Sequence, residues 1–358
     1  MHRQSGSAAT NILFGVVVFV VVCAGIAAIG LAVWRIWYGE GPGSYRGGGK
    51  QFAYDLSELR KTDPDLIICQ EDRPAIETGL QHSRGIAAGA DGRIHVAGDQ
   101  AVRTFDRSGN LLQEFKLSRP AGCLAVGGDG IYVAMTDHLE RIAPSGARRT
   151  GWRSPDPKAV FTSVAATGEE VFVADAGNRV VLRFDKSGKL LGRIGRKDKS
   201  RNIPGFVIPS PYFDVAMAAD GLLRVTNPGR HRIEAYTVQG DLELGWGRFS
   251  PTADGFCGCC NPVNFAILPD GEVVTCEKGL TRVKIHDAEG NLLGVVAGPE
   301  SFRKHDQLVN NSPYRTFGAL DVAAGADGRI LILDPQTNEV RTFRRTREKS
   351  AALSRGKP

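Results

Sequence analysis

Two rhythms of hydrophobic residues run along this chain. Ile12 through Trp34 is an unbroken run of 23 residues without a charged side chain. As a helix rising 1.5 Å per residue, such a run spans a hydrocarbon core of roughly 30 Å. Asn11 and Arg35 bound it, and Trp34, Trp37 and Tyr38 stand where an aromatic belt meets the membrane interface. The run ends in Val33-Trp34-Arg35-Ile36-Trp37 rather than in the small residues of a cleavage site, and Val20-Val21-Val22 before Cys23 is a poor lipidation signal. The sequence thus predicts a tail over 1–11, an uncleaved membrane anchor over 12–38 and a flexible linker over 39–62 that includes the glycine-rich stretch Glu40 to Lys50. A single leading anchor behind a short tail favours export of the body to the periplasmic side, against the weaker pull of Arg35, Arg46 and Lys50.

From about residue 82 the rhythm shortens and repeats. Six segments share one plan: an apolar strand, a tight turn, a Val/Ile-rich strand, a polar loop, a strand with an aromatic or aliphatic anchor, a glycine turn and a last strand. Second-strand anchors Val96, Val133, Val173, Val225, Val274 and Ile332 precede third-strand anchors Phe105, Ile142, Phe184, Tyr236, Ile285 and Phe343 by 9, 9, 11, 11, 11 and 11 residues. Asp-Gly pairs at 91–92, 129–130, 220–221, 270–271 and 327–328, and glycines 109, 146, 188, 240 and 290, supply the positive φ that tight hairpins require. Four antiparallel strands repeated six times around an axis predict an all-β, six-bladed β-propeller over residues 63–345.

Val173-Ala-Asp-Ala-Gly-Asn-Arg-Val180 followed by Phe184-Asp-Lys-Ser-Gly-Lys-Leu-Leu191 resembles an NHL repeat, and the resemblance covers about residues 82–345. It implies a propeller used for protein binding. Related six-bladed propellers include lyases and lactonases with zinc or calcium near the axis, and some NHL proteins bind RNA through a basic face. The sixth unit lacks a fourth strand after Phe343, and Leu66-Ile-Ile-Cys-Gln70 is the expected replacement, closing the ring. A basic tail is expected over 346–358, with basic character from Arg344 onward.

Charge narrows the partner. The chain carries 45 Lys and Arg against 39 Asp and Glu, a net +6. Residues 1–50 hold +3 and residues 341–358 hold +6, which leaves −3 on 51–340. Phosphate binding relies on Lys and Arg, so a nucleic-acid partner is disfavoured and the basic flanks read as membrane topology.

Strand alternation places the loops between second and third strands, with the blade-to-blade crossings, on one face. The long insertions Arg196 to Tyr212, Ser250 to Pro262 and Pro299 to Phe317 all fall there. Irregular loops on a rigid scaffold carry function. The candidate binding residues on this face are Asp175, Asn178, Arg179, Arg230, His231, Glu277, Lys278, His305 and Asp306. For Asp175 and Asn178 the competing reading is an Asx cap of the loop, and His95, within a strand, reads as structural.

Gly255-Phe-Cys-Gly-Cys-Cys-Asn-Pro262 is the feature with the most chemistry. Cys257, Cys259 and Cys260 precede the first strand of the fifth unit and Cys276 ends its second, so a hairpin returns all four to one edge. Three alternatives stand: a zinc, iron–sulfur or copper centre, a structural disulfide from Cys276 to Cys257 or Cys259, and free thiols. Cys69 and Cys123 read as buried strand residues. No catalytic triad order, phosphate-cradling loop or H-E-x-x-H motif is present. The expectation is a binding or scaffold module of an envelope complex, with a metal- or redox-dependent enzyme as the alternative.

Overall fold

The computed structural model describes residues 61–302 and 319–346. The expected anchor, the linker up to residue 60, the tail from residue 347, and His305 and Asp306 lie outside the described residues. Among the described residues no helix is long and apolar enough to cross a membrane.

The strands form six four-stranded antiparallel sheets. Blade one comprises Ser83–Ala88, Ile94–Gly98, Ala101–Phe105 and Leu111–Lys116; blade two Cys123–Gly127, Gly130–Ala134, His138–Ile142 and Arg148–Arg153. Blade three is Phe161–Ala166, Glu170–Asp175, Val180–Asp185 and Leu190–Ile194; blade four is Val215–Met217, Leu223–Asn227, Arg232–Tyr236 and Leu242–Trp246. Blade five is Asn264–Ile267, Val273–Glu277, Arg282–His286 and Leu292–Ala297; blade six is Asp321–Ala324, Ile330–Asp334 and Glu339–Arg345, with Cys69–Glu77 outermost. The first strands contact one another in a closed ring. The fold is a six-bladed β-propeller.

Blades narrow toward the axis, and the sequence meets that taper with one recurring pair. An alanine of each first strand (Ala87, Ala125, Ala165, Ala216, Ala266, Ala323) faces a larger residue of the second (His95, Tyr132, Phe172, Arg224, Val274, Leu331). Small inside and large outside suits the taper of a wedge. The turns follow the sequence pattern, as in blade one, where Gly92 and Gly109 have φ of 83° and 88°.

In blade five the register differs from the sequence expectation by one residue. Counting from the turn at Gly271, Thr275 and His286 occupy the anchor positions assigned to Val274 and Ile285, since Val273 pairs with His286 as Ile94 pairs with Phe105. Every residue of both strands is buried, so alternation carried no register information. His286 fills the slot as a neutral ring against Trp246 and Phe256, its pKa driven down to about 3 by burial.

Ring closure also differs in detail. Cys69–Glu77, not Leu66–Gln70, is the fourth strand of blade six, and Ile67 and Ile68 instead bridge to Val295 on blade five. Arg344 and Arg345, where the basic character begins, belong to the blade-six strand. The closing strand is acidic where its partner is basic: Arg341 Nε and Nη2 donate to both Glu71 carboxylate oxygens at 2.7 and 3.0 Å, and Arg344 pairs with Asp72. Arg341 holds the Glu71 pKa below the ordinary value. Glu71→Arg is expected to lower the unfolding free energy by about 1–3 kcal/mol, the cost of a broken charge-assisted pair. The double variant Glu71→Arg/Arg341→Glu should recover part of that loss in urea titration.

Candidate functional site

The first strand of a blade has a strand neighbour on one side only, so its inner edge presents backbone groups that need partners. Side chains from the preceding blade supply them around most of the ring. Thr162 Oγ1 donates to Phe213 O at 2.6 Å, Asp214 Oδ2 accepts from Phe265 N at 2.7 Å, Asn264 Nδ2 donates to Leu320 O at 2.8 Å, and Asp321 Oδ2 accepts from Ile86 N at 2.9 Å. Between blades one and two the backbones approach too closely for such a latch: a Cβ on Gly85 would lie 2.9 Å from Cys123 Cα.

The two latching aspartates are the most perturbed carboxylates described. Burial, opposed by hydrogen bonds from Ser163 and the Phe265 and Val215 amides, pushes Asp214 up to about 6. Burial, and then the Asp214 charge, push Asp321 up to about 7. Both line a narrow polar channel of about 120 Å³ that shares Arg84, Thr162 and Asn264 with a wider mouth of about 510 Å³ on the insertion-rich face. Neither aspartate was among the candidates read from the sequence. The signal available there was their shared place at the head of the first strand, as Asp214-Val215 and Asp321-Val322.

On the insertion-rich face, polar residues ending the second strands clamp the crossings. Asp99 Oδ2 accepts from Gln81 N at 2.8 Å, Asp175 Oδ1 from Val160 N at 3.0 Å, Asn227 Oδ1 from Val207 N at 2.9 Å and Glu277 Oε2 from Cys257 N at 2.9 Å. Asp175 is fully buried and also accepts from Asn178 Nδ2 at 2.7 Å. Arg179 and Arg230 project to solvent, Arg179 from a left-handed residue with φ 56°. Lys278 is half-buried, with Nζ 4.4 Å from the Tyr212 ring centroid and 3.4 Å from Ser210 Oγ.

The cysteine insertion is held by buried charge. Glu277 and Lys284 are wholly buried and Arg282 nearly so; Glu277 meets Lys284 Nζ at 2.9 Å and Arg282 Nη2 at 3.1 Å. Lys284 Nζ also donates to Ala253 O at 3.1 Å and Gly255 O at 2.5 Å, and Arg282 Nη1 donates to Pro251 O at 3.2 Å. The cations thus satisfy carbonyls of the insertion while their charge is matched in part by Glu277. Desolvation lowers the Lys284 pKa. Asn261 bridges the Cys257 and Lys278 carbonyls and accepts from Lys278 N. From blade four, His231 Nε2 lies 2.6 Å from Gly258 O.

The four thiols do not converge. Cys276 is fully buried among Val263, Val274 and Val283 of the core, because its side chain points into the blade rather than toward the insertion. Among the described residues no group of three or more His, Cys, Asp or Glu side chains could hold a metal. Cys276 thus stands apart from Cys257, Cys259 and Cys260 of the expected zinc or iron–sulfur ligand set, and in this structure all four sulfurs are unbonded to one another. What remains is a vicinal pair: Cys259, exposed, and Cys260, 4% exposed, have sulfurs 3.1 Å apart. The Cys260 sulfur retains the Cys259 proton and raises its pKa, against the pull of Lys278.

No protein-family model and no curated protein matches the chain. Among solved structures it is similar to a streptogramin B lyase, with 12% identity and a TM-score of 0.51 over 78% of this chain and 98% of that one. A catalytically inactive virginiamycin B lyase from Staphylococcus aureus with quinupristin gives 13% and 0.50 over 77% and 98%. A Bacteroides thetaiotaomicron protein of unknown function gives 16% and 0.51 over 76% and 72%. The shared property is the fold: a six-bladed propeller with neighbours of the NHL and virginiamycin B lyase type.

Two expectations follow. Asp214 and Asp321 hold protons in the folded chain that the unfolded chain, with carboxylates near their ordinary pKa of about 4, has released. Their stabilisation is present below about pH 4 and is lost as pH rises through about 6 and about 7. Melting temperatures from pH 4 to 8 should fall less steeply for Asp321→Asn than for the parent chain. Separately, Lys284→Met should destabilise by about 3 kcal/mol, leaving Glu277 paired with Arg282 alone. It should also speed maleimide labelling of buried Cys260, whereas in the parent chain Cys259 labels first and Cys276 last.

Proposed function

We propose that this protein is a membrane-anchored propeller that binds a protein partner through its insertion-rich face, on the sector between blades four and five. The carrying observation is Phe249. It is 62% exposed, the one exposed large aromatic among the described residues, and its ring stands edge-on to His231 at 5.3 Å. Val207, 40% exposed, packs on Gly229 beside Arg230 in the same sector. An aromatic next to an arginine and a histidine, held by clamped loops, is the residue composition that anchors protein interfaces. The clamps explain the rigidity, since the candidate acidic groups Asp175 and Glu277 are engaged by loop backbone and neighbouring cations. The anchor expected at 12–38 supports presentation from a membrane surface, with the propeller on the exported side.

A photocrosslinking residue placed at Phe249 in the full chain, in its native membrane, should yield one discrete adduct with a different protein. Phe249→Asp should abolish co-purification of that protein, and a crosslinker at Leu112, far from this sector, should not capture it. Equal capture at both positions, or none at Phe249, overturns the reading.

A further inference from the structure

The interface between blades one and two differs from its neighbours on the opposite, tight-turn face. Ala87, His95, Thr104 and Gln113 are cross-strand partners in a row across blade one. Val126, Ile131 and Ile142 form a corresponding row across blade two. His95, Thr104 and Gln113 of the first row and all of the second line a cavity of about 660 Å³, which reaches on to Ile267 and Pro269 of blade five and Ala324 of blade six. At the position of His95 in the next two blades stand Tyr132 and Phe172, both completely buried, which fill their own interfaces. Here the smaller imidazole, with Gly89, Gly127 and Gly128 at the corner, leaves the wedge open.

His95 is 7% exposed, and its Nδ1 lies 2.9 Å from Thr104 Oγ1. Its Nε2 is directed to the Gly89 side of the wedge, where an added Cβ would come within 3.5 Å of it. Burial drives its pKa down to about 4, so the ring is neutral at physiological pH. Among the described residues, the charged groups lining the cavity are Asp91 and Arg93, which pair with one another at 3.4 Å. One wall is therefore apolar, the other carries neutral hydrogen-bonding groups, and the volume matches pockets that hold drug-sized molecules.

We propose that this wedge is a binding site for a neutral, flat aromatic molecule of two or three rings bearing a hydroxyl group. Its rings pack on Val126, Ile131 and Ile142, and its hydroxyl meets His95 Nε2. A hydroxyl both donates and accepts, so it suits either imidazole tautomer. The site is separate from the Phe249 sector and does not depend on a partner there.

The test uses 2-naphthol, titrated by its fluorescence into the full chain in lipid nanodiscs. Ile131→Trp, which fills the wedge, serves as the reference for lipid partitioning. The parent chain should show saturable binding above that reference, and His95→Leu should weaken it about five- to tenfold through loss of one hydrogen bond. Phe249→Asp should leave it unchanged. If Ile131→Trp fails to fold, by circular dichroism, His95→Leu alone decides. Signals equal in the parent and in the folded wedge variants overturn the proposal.

Discussion

The unpaired inner edge of six strands is the constraint on which this architecture depends. A sheet ending at a channel leaves backbone N–H and C=O groups that water must reach or side chains must satisfy. Thr162, Asp214, Asn264 and Asp321 satisfy some of them and tie together the blades from three round to one. Placing carboxylates there carries a desolvation cost, visible in the raised pKa of both aspartates. The same residues thus set the ring's cohesion and its sensitivity to pH.

Charge buried elsewhere in the fold serves the loops. Glu277, Arg282 and Lys284 sit inside blade five yet act on the backbone of the insertion above it. A buried ion pair is weak evidence of stability, but its directional hydrogen bonds fix one loop conformation. That rigidity leaves His231, Phe249 and Cys259 at defined positions on the surface. It also places Cys257, Cys259 and Cys260 through hydrogen bonds to the loop backbone.

The repeat made the fold legible. Glycine turns and apolar anchors recur because a hairpin demands positive φ and a blade demands a filled interior, and both demands act locally. The clamping pattern at Asp175 and Asn178 was legible for the same reason, since an Asx loop is a matter of three or four residues. The blade-five register was not, because Arg282 and Lys284 are buried beside Val283 and Ile285 and erase the alternation. The convergence expected of four cysteines failed at Cys276, whose inward orientation depends on that register.

The sequence by itself determined six repeated units, their turns, the face that carries the insertions and the acidic character of the body between basic ends. Those properties follow from residue type and spacing along the chain. Tertiary structure alone decided which polar groups meet across blades: Asp214 with Phe265, Asp321 with Ile86, Lys284 with Gly255, His95 with an unfilled wedge. Contacts between blades join residues dozens to hundreds of positions apart. Whether a side chain there is a latch, a clamp or a cavity wall is set by what the neighbouring blade places opposite it.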